Sequence, residues 1–142
     1  MIKYKKVQEL TNKGYEYLKY SDGTKVWYLN GKLHRPDGPA YIRSNGTKAW
    51  WLNGKLHRPD GPAVIYPTGT KLWRLNGELH RPDGPAIIRQ DGTKEWYLNG
   101  IKIDEIEFNK VLNCPLKELP LYINTELEPI VKERFKNERT YI

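Results

Sequence analysis

Trp50-Trp51-Leu52-Asn53-Gly54-Lys55-Leu56-His57-Arg58-Pro59-Asp60-Gly61-Pro62-Ala63 runs on through Val64-Ile65-Tyr66-Pro67 and Thr68-Gly69-Thr70-Lys71-Leu72 to Trp73, where it begins again. The period is 23 residues: Trp27, Trp50, Trp73 and Trp96 fall in phase, as do His34, His57 and His80, and Asp37, Asp60 and Asp83. A fixed period of this size is the mark of a stacked repeat protein, in which each unit buries its apolar surface against the next. Residues 1–23 read as a worn first copy, with Tyr4 in phase with Trp27 and Leu10 with Leu33. An atypical terminal copy is what a stack needs as a lid.

Each copy carries two strand signals, Thr24 to Leu29 and Ala40 to Arg43 in the first full one. Asn30-Gly31 between them is a tight hairpin turn, because both residues tolerate positive φ. Pro36-Asp37-Gly38-Pro39 is a second turn, where Pro presets φ and Gly is expected to supply the left-handed residue. Lys32–His34 fits either a short third strand or a loop.

Side chains alternate across a strand. Trp27 and Leu29 share a face that stays uniform in the full copies. The opposite face varies, with Val26, Ala49, Leu72 and Glu95 at one position and Tyr28, Trp51, Arg74 and Tyr97 at the next. In the second strand, Ala40 and Ile42 recur, while Tyr41, Val64 and Ile87, then Arg43, Tyr66 and Arg89, do not. Uniform positions serve stacking, and variable ones are free to be shaped for a partner. The position holding both Trp51 and Arg74 is expected to face outward, since burying an unpaired guanidinium is costly.

The pattern stops at Gly100. Asp104 and Glu107 have capping-box spacing ahead of Ile106, Phe108, Val111 and Leu112, which predicts a helix ending before Cys114-Pro115. Leu116 to Ile123, broken by Pro120, is expected as an extended connector. Thr125 and Glu128 open a second helical stripe reaching about Glu138. Residues 101–142 thus form a helical C-terminal cap, expected over the open edge of the last strand; the alternative is a docking arm. The fold expected is mainly β: a single-layer antiparallel sheet of stacked 23-residue hairpins over 1–100, with that small cap.

Asp-Gly-Thr-Lys-x-Trp-Tyr-Leu-Asn-Gly-Lys-Leu-His-Arg, over residues 22–35, 45–58, 68–81 and in part 91–100, resembles the MORN repeat and its bacterial variants. This chain departs after His, with Arg-Pro-Asp-Gly-Pro where the family usually has Gly-x-Gly. The resemblance implies a hairpin sheet and binding rather than catalysis. It also points to antitoxin-like bacterial proteins and repeat proteins of bacterial viruses, hence to an inhibitor or counter-defence role on a protein partner.

The 142 residues suit one domain, and the net charge of +7 lies in the repeats. Residues 24–100 carry twelve basic and six acidic side chains; residues 101–142 carry seven and eight. The single cysteine, Cys114, excludes an intrachain disulfide and favours a cytoplasmic setting, host cytoplasm if the protein is viral. No run is long enough to span a membrane, and no secretory leader is read at Met1. The His-Arg-Pro-Asp copies do not suit one metal, because equivalent His residues two strands apart sit ~10 Å from one another. A turn-locking hydrogen bond is the better use of a His that recurs in identical surroundings, although a His/Asp hydrolase remains a third reading. No nucleophile motif, phosphate loop, cofactor or metal site is expected.

Two partner classes follow. The first is another protein, held by Tyr28, Trp51, Arg74, Tyr97, Tyr41, Tyr66, Arg43 and Arg89, residue types enriched at binding hot spots. The second is a nucleic acid, nucleotide or anionic lipid on the basic ladders Lys25, Lys48, Lys71, Lys94 and Arg35, Arg58, Arg81. Those Lys share parity with the tryptophans, so their stems are also candidates to cover the indoles.

Overall fold

The computed structural model describes residues 2–4 and 13–139. The phase relation of Leu10 lies outside them. The fold is mainly β, an 11-stranded antiparallel sheet flanked by two separate two-stranded hairpins, with helices at the C-terminal end.

The first full copy shows how a unit is made. β1 (Ile2–Tyr4) pairs with β2 (Tyr15–Tyr20), and β2 with β3 (Lys25–Leu29). Asn30 and Gly31 both take positive φ, 50° and 79°, and turn the chain into β4 (Lys32–Leu33), so the open choice at Lys32–His34 resolves as a two-residue strand. The Asn-Gly turns at 53–54, 76–77 and 99–100 repeat these angles closely. β5 (Tyr41–Ile42) then returns alongside β3.

In the next two copies the first strand is split. β6 (Lys48–Ala49) and β7 (Trp51–Leu52) flank Trp50, with β8 (Lys55–Leu56) after the turn and β9 (Val64–Ile65) closing the unit. β10 (Lys71–Leu72), β11 (Arg74–Leu75), β12 (Glu78–Leu79) and β13 (Ile87–Ile88) repeat it. The split occurs where the ladder changes partner. Trp50 N–H donates to Ala63 O at 2.7 Å on one side, and its carbonyl accepts from His57 N–H at 3.0 Å on the other. Trp27 makes the same two bonds, so the copies are equivalent. The last hairpin is β14 (Lys94–Leu98) with β15 (Ile101–Ile103).

The Pro-Asp-Gly-Pro turns differ from expectation in one respect. Their glycines are not left-handed: Gly38, Gly61 and Gly84 are absent from the positive-φ residues. The constraint is space. A Cβ there would lie 3.1, 3.0 and 2.8 Å from the guanidinium carbon of Arg35, Arg58 and Arg81.

The C-terminal segment begins with α1 (Glu105–Asn113), capped by Asp104, whose carboxylate accepts from Ile106 N–H at 2.9 Å and Glu107 N–H at 3.3 Å. Leu116–Tyr122 is a 3-10 helix rather than an extended connector. Pro115 precedes it as N-cap, its carbonyl accepting from Glu118 N–H at 2.9 Å. α2 (Glu128–Arg139) follows. Thr125 Oγ1 accepts from Leu127 N–H, and Glu128 reaches back to Asn124 N–H at 2.8 Å, a capping box displaced by one residue.

These helices pack on a face of the sheet. Trp96, Leu98 and Ile103 form one core with Phe108, Val111, Leu119, Leu127, Ile130 and Val131. The sheet side chains they cover, Trp96 and Leu98, belong to the indole face. In the fourth copy Ile103-Asp104 stand where His-Arg stood, so no guanidinium is available for Trp96, and apolar side chains cover it instead. Arg134 ties the arrangement with bonds to the carbonyls of Val111 (3.1 Å) and Cys114 (2.5 Å).

Candidate interaction face

Cross-strand register assigns every side chain of the sheet to a face, because directly opposed residues point the same way. One row runs Leu18, Val26, Tyr41, Ala49, Val64, Leu72, Ile87, Glu95. By alternation Tyr20, Tyr28, Arg43, Tyr66 and Arg89 share that face. Tyr97 does too, two residues beyond Glu95 on β14, and Trp51 and Arg74, in the separate two-stranded pairs β7–β8 and β11–β12, take the place that Tyr28 holds in the equivalent first copy. All eight residues singled out from the variable positions therefore share one face.

Their exposure is not uniform. Arg43, Tyr66 and Arg89 are exposed; Tyr28, Tyr41, Trp51, Arg74 and Tyr97 are half-buried. The outward position expected for Trp51 and Arg74 is thus corrected to a partly covered one. The physical reason is local. The small members of the row, Val26, Ala49, Val64 and Ile87, are buried. Arg74 bends back so that its Nη1 donates to Gly77 O at 2.7 Å, while its Nε is buried without a partner among the described residues. Burial, then the nearby Tyr20, Tyr41 and Glu16, push the Tyr28 phenol above its ordinary value. At the other end Glu95 accepts from Lys102 at 2.9 Å and Arg89 at 2.7 Å, and these bonds, Lys102 first, hold its carboxyl low. Tyr20, Glu95 and Lys102 belong to this face but were not singled out. Tyr20 and Lys102 sit in the degenerate first and last hairpins, where phase is hard to read, and only strand parity could have placed them.

The opposite face is occupied by the repeat's own chemistry. Arg35, Arg58 and Arg81 stack their guanidinium carbons 4.0, 3.9 and 4.1 Å from the ring centres of Trp27, Trp50 and Trp73. The guanidinium of arginine covers the indole. Each Nη1 also donates to the carbonyl of Pro39, Pro62 or Pro85, and each Nε faces Asp37, Asp60 or Asp83 at 3.1, 3.5 and 2.9 Å.

The histidines reach forward. Nδ1 of His34, His57 and His80 accepts from the backbone N–H of Asn53, Asn76 and Asn99 at 2.9, 2.9 and 2.8 Å. Each His thus locks the Asn-Gly turn of the next copy, 19 residues on, rather than its own turn. His and Asp of one copy are not paired with each other. Further ties run alongside: Gly54 N–H to Leu33 O at 2.9 Å, Gly77 to Leu56 and Gly100 to Leu79 both at 2.8 Å.

An acceptor Nδ1 requires unprotonated imidazole at that atom. Burial lowers the His80 pKa from 6.5, against the raising influence of Glu78 and Glu133. The unfolded chain then binds more protons than the native one as pH falls through and below that value. Stability is fully present above it and declines as pH drops toward the lower folded value. Melting temperature is expected to fall between pH 7.5 and 5.5, above the carboxylate range, and His80→Gln should flatten part of that fall. A profile unchanged by the substitution would show that His80 does not carry the dependence.

Among the described residues no three His, Cys, Asp or Glu side chains gather as a metal site, and no helix is long and apolar enough to cross a membrane. No protein-family model, curated protein or solved structure matches this chain.

Proposed function

We propose that this chain is a non-enzymatic, MORN-like repeat module that binds another protein through the face carrying Tyr28, Trp51, Arg74, Tyr97, Tyr41, Tyr66, Arg43 and Arg89. It works in the cytoplasm as an inhibitor or antitoxin-like factor. The observation that supports this is the division of labour between the faces. On the indole face, Trp, Arg and Asp are engaged with one another, and His with backbone, in each of the three copies that carry His-Arg-Pro-Asp. On the other, tyrosines, a tryptophan and arginines gather over small buried aliphatics and differ from copy to copy. Aromatic and Arg side chains, already partly immobilised, lose little further freedom on binding. The engaged His Nδ1 and the Arg-paired Asp speak against general-base use of the pair.

Affinity capture from host lysate with mass spectrometry supplies the partner. Trp51→Ala and Arg74→Ala are then expected to weaken its binding by more than about 1 kcal/mol each. Thermal melts run beside the titration separate lost contacts from lost fold. Wild-type affinity in both variants would remove the proposal.

A further inference from the structure

The indole face also carries a second row, next to the Arg–Trp stacks and independent of the protein-binding proposal. Direct cross-strand partners run Lys19, Lys25, Ile42, Lys48, Ile65, Lys71, Ile88, Lys94. From Lys25 on, lysine and isoleucine alternate strand by strand. Lys48, Lys71 and Lys94 are exposed, Lys25 and the three isoleucines half-buried. None of these lysines enters an ion pair among the described residues, and the row contains no acid. The arginine ladder, by contrast, is neutralised copy by copy by its own aspartates. Lys32 and Lys55, opposite Leu29 and Leu52, are further lysines of this face without an ion pair among the described residues, and they lie off the row, but only the row carries a lysine from every copy in one line. With strands ~4.8 Å apart, its lysines recur every ~10 Å over roughly 30 Å.

We propose that this lysine row is a track for the phosphate backbone of a nucleic acid. A line one lysine wide matches a linear polyanion. A flat anionic membrane would also have to meet the rims of the row, and both carry carboxylates. Asp37, Asp60 and Asp83 stand exposed on one side, and Asp22 and Asp91 sit in the turns on the other. The half-buried isoleucines between the lysines place no competing charge in the line and support the lysine stems. The indoles beside the row lie under guanidinium groups, so they offer no open stacking platform. Recognition through phosphates alone is indifferent to base sequence.

Four phosphate contacts give a log–log salt slope of about −3 to −4, counting ~0.7 per contact for single strands and ~0.9 for duplex. Affinity should then fall roughly 50- to 150-fold between 50 and 200 mM salt. The experiment is fluorescence anisotropy with a labelled 20-nucleotide oligothymidine and a labelled 20-base-pair duplex, over a salt series. Lys48→Gln, Lys71→Gln and Lys94→Gln combined should keep the wild-type melt, since all three side chains are exposed, and reduce the slope by roughly 2 to 3. Trp51→Ala, on the opposite face, should bind the oligonucleotide like wild type, which keeps this result separable from the protein-binding one. Sedimentation with phosphatidylserine vesicles should leave the protein in the supernatant. Absence of oligonucleotide binding at 50 mM salt, an unchanged slope in the triple variant, or vesicle binding in place of oligonucleotide binding would each overturn the assignment.

Discussion

Phe108→Ala should destabilise the protein by about 3–5 kcal/mol, the usual cost of truncating a fully enclosed aromatic. Phe108 has no exposed surface and lies in the core between α1 and the last hairpin. Three residues of that hairpin, Trp96, Leu98 and Ile103, contribute the sheet side, and Leu119, Leu127, Ile130 and Val131 the helical side. A void at Phe108 therefore loosens sheet and helices together. At this chain length the loss corresponds to a melting temperature lower by roughly 10–20 °C. Urea unfolding with far-ultraviolet circular dichroism is the measurement, with Phe108→Leu as the milder comparison expected to recover much of the loss. Wild-type melting of Phe108→Ala would mean that the helices do not rest on the sheet through this core.

That core also shows what could be read beforehand and what could not. The helix at Asp104 was legible because a capping carboxylate and a helical stripe are local signals. Its resting place was not. Cover for Trp96 comes from residues up to 35 positions away along the chain, and no local pattern encodes that. The same divide runs through the repeats. Period and alternation placed Tyr28, Trp51, Arg74 and Tyr97 on one face, since two-residue parity is a backbone property. Parity is silent on how far neighbours lean over a side chain, so half-burial at Trp51 and Arg74 was missed. It is equally silent on loops. Arg58 meets Trp50 only because the chain turns back at Asn53-Gly54 between them, and His57 finds Asn76 in the following copy. Gly61 looked like a conformational residue but is a spatial one, leaving room for Arg58. In each case the residue was marked by its recurrence, while its partner depended on three-dimensional return.

Trp50→Ala is the second substitution expected to act strongly, at about 2–3 kcal/mol. The figure is below that for a sealed aromatic because Trp50 is half-buried. It includes the stacking of Arg58 at 3.9 Å, worth about 0.5–1 kcal/mol at a partly exposed site. The backbone bonds of residue 50, to Ala63 O and from His57 N–H, do not depend on the indole, so the ladder itself should persist. Arg58 keeps Pro62 O and Asp60, and water can take its freed face; no buried charge is stranded to enlarge the cost. Trp50→Phe, which retains a ring under the guanidinium, should recover more than half of the loss. A double-mutant cycle with Arg58→Ala isolates the stacking, and a coupling of about 0.5–1 kcal/mol is expected. If Trp50→Ala melts like wild type, the uniform indoles are not the framework of the stack. If the loss is full but the coupling is zero, the indole acts through burial alone, and the guanidinium seated over it contributes nothing to holding the copy together.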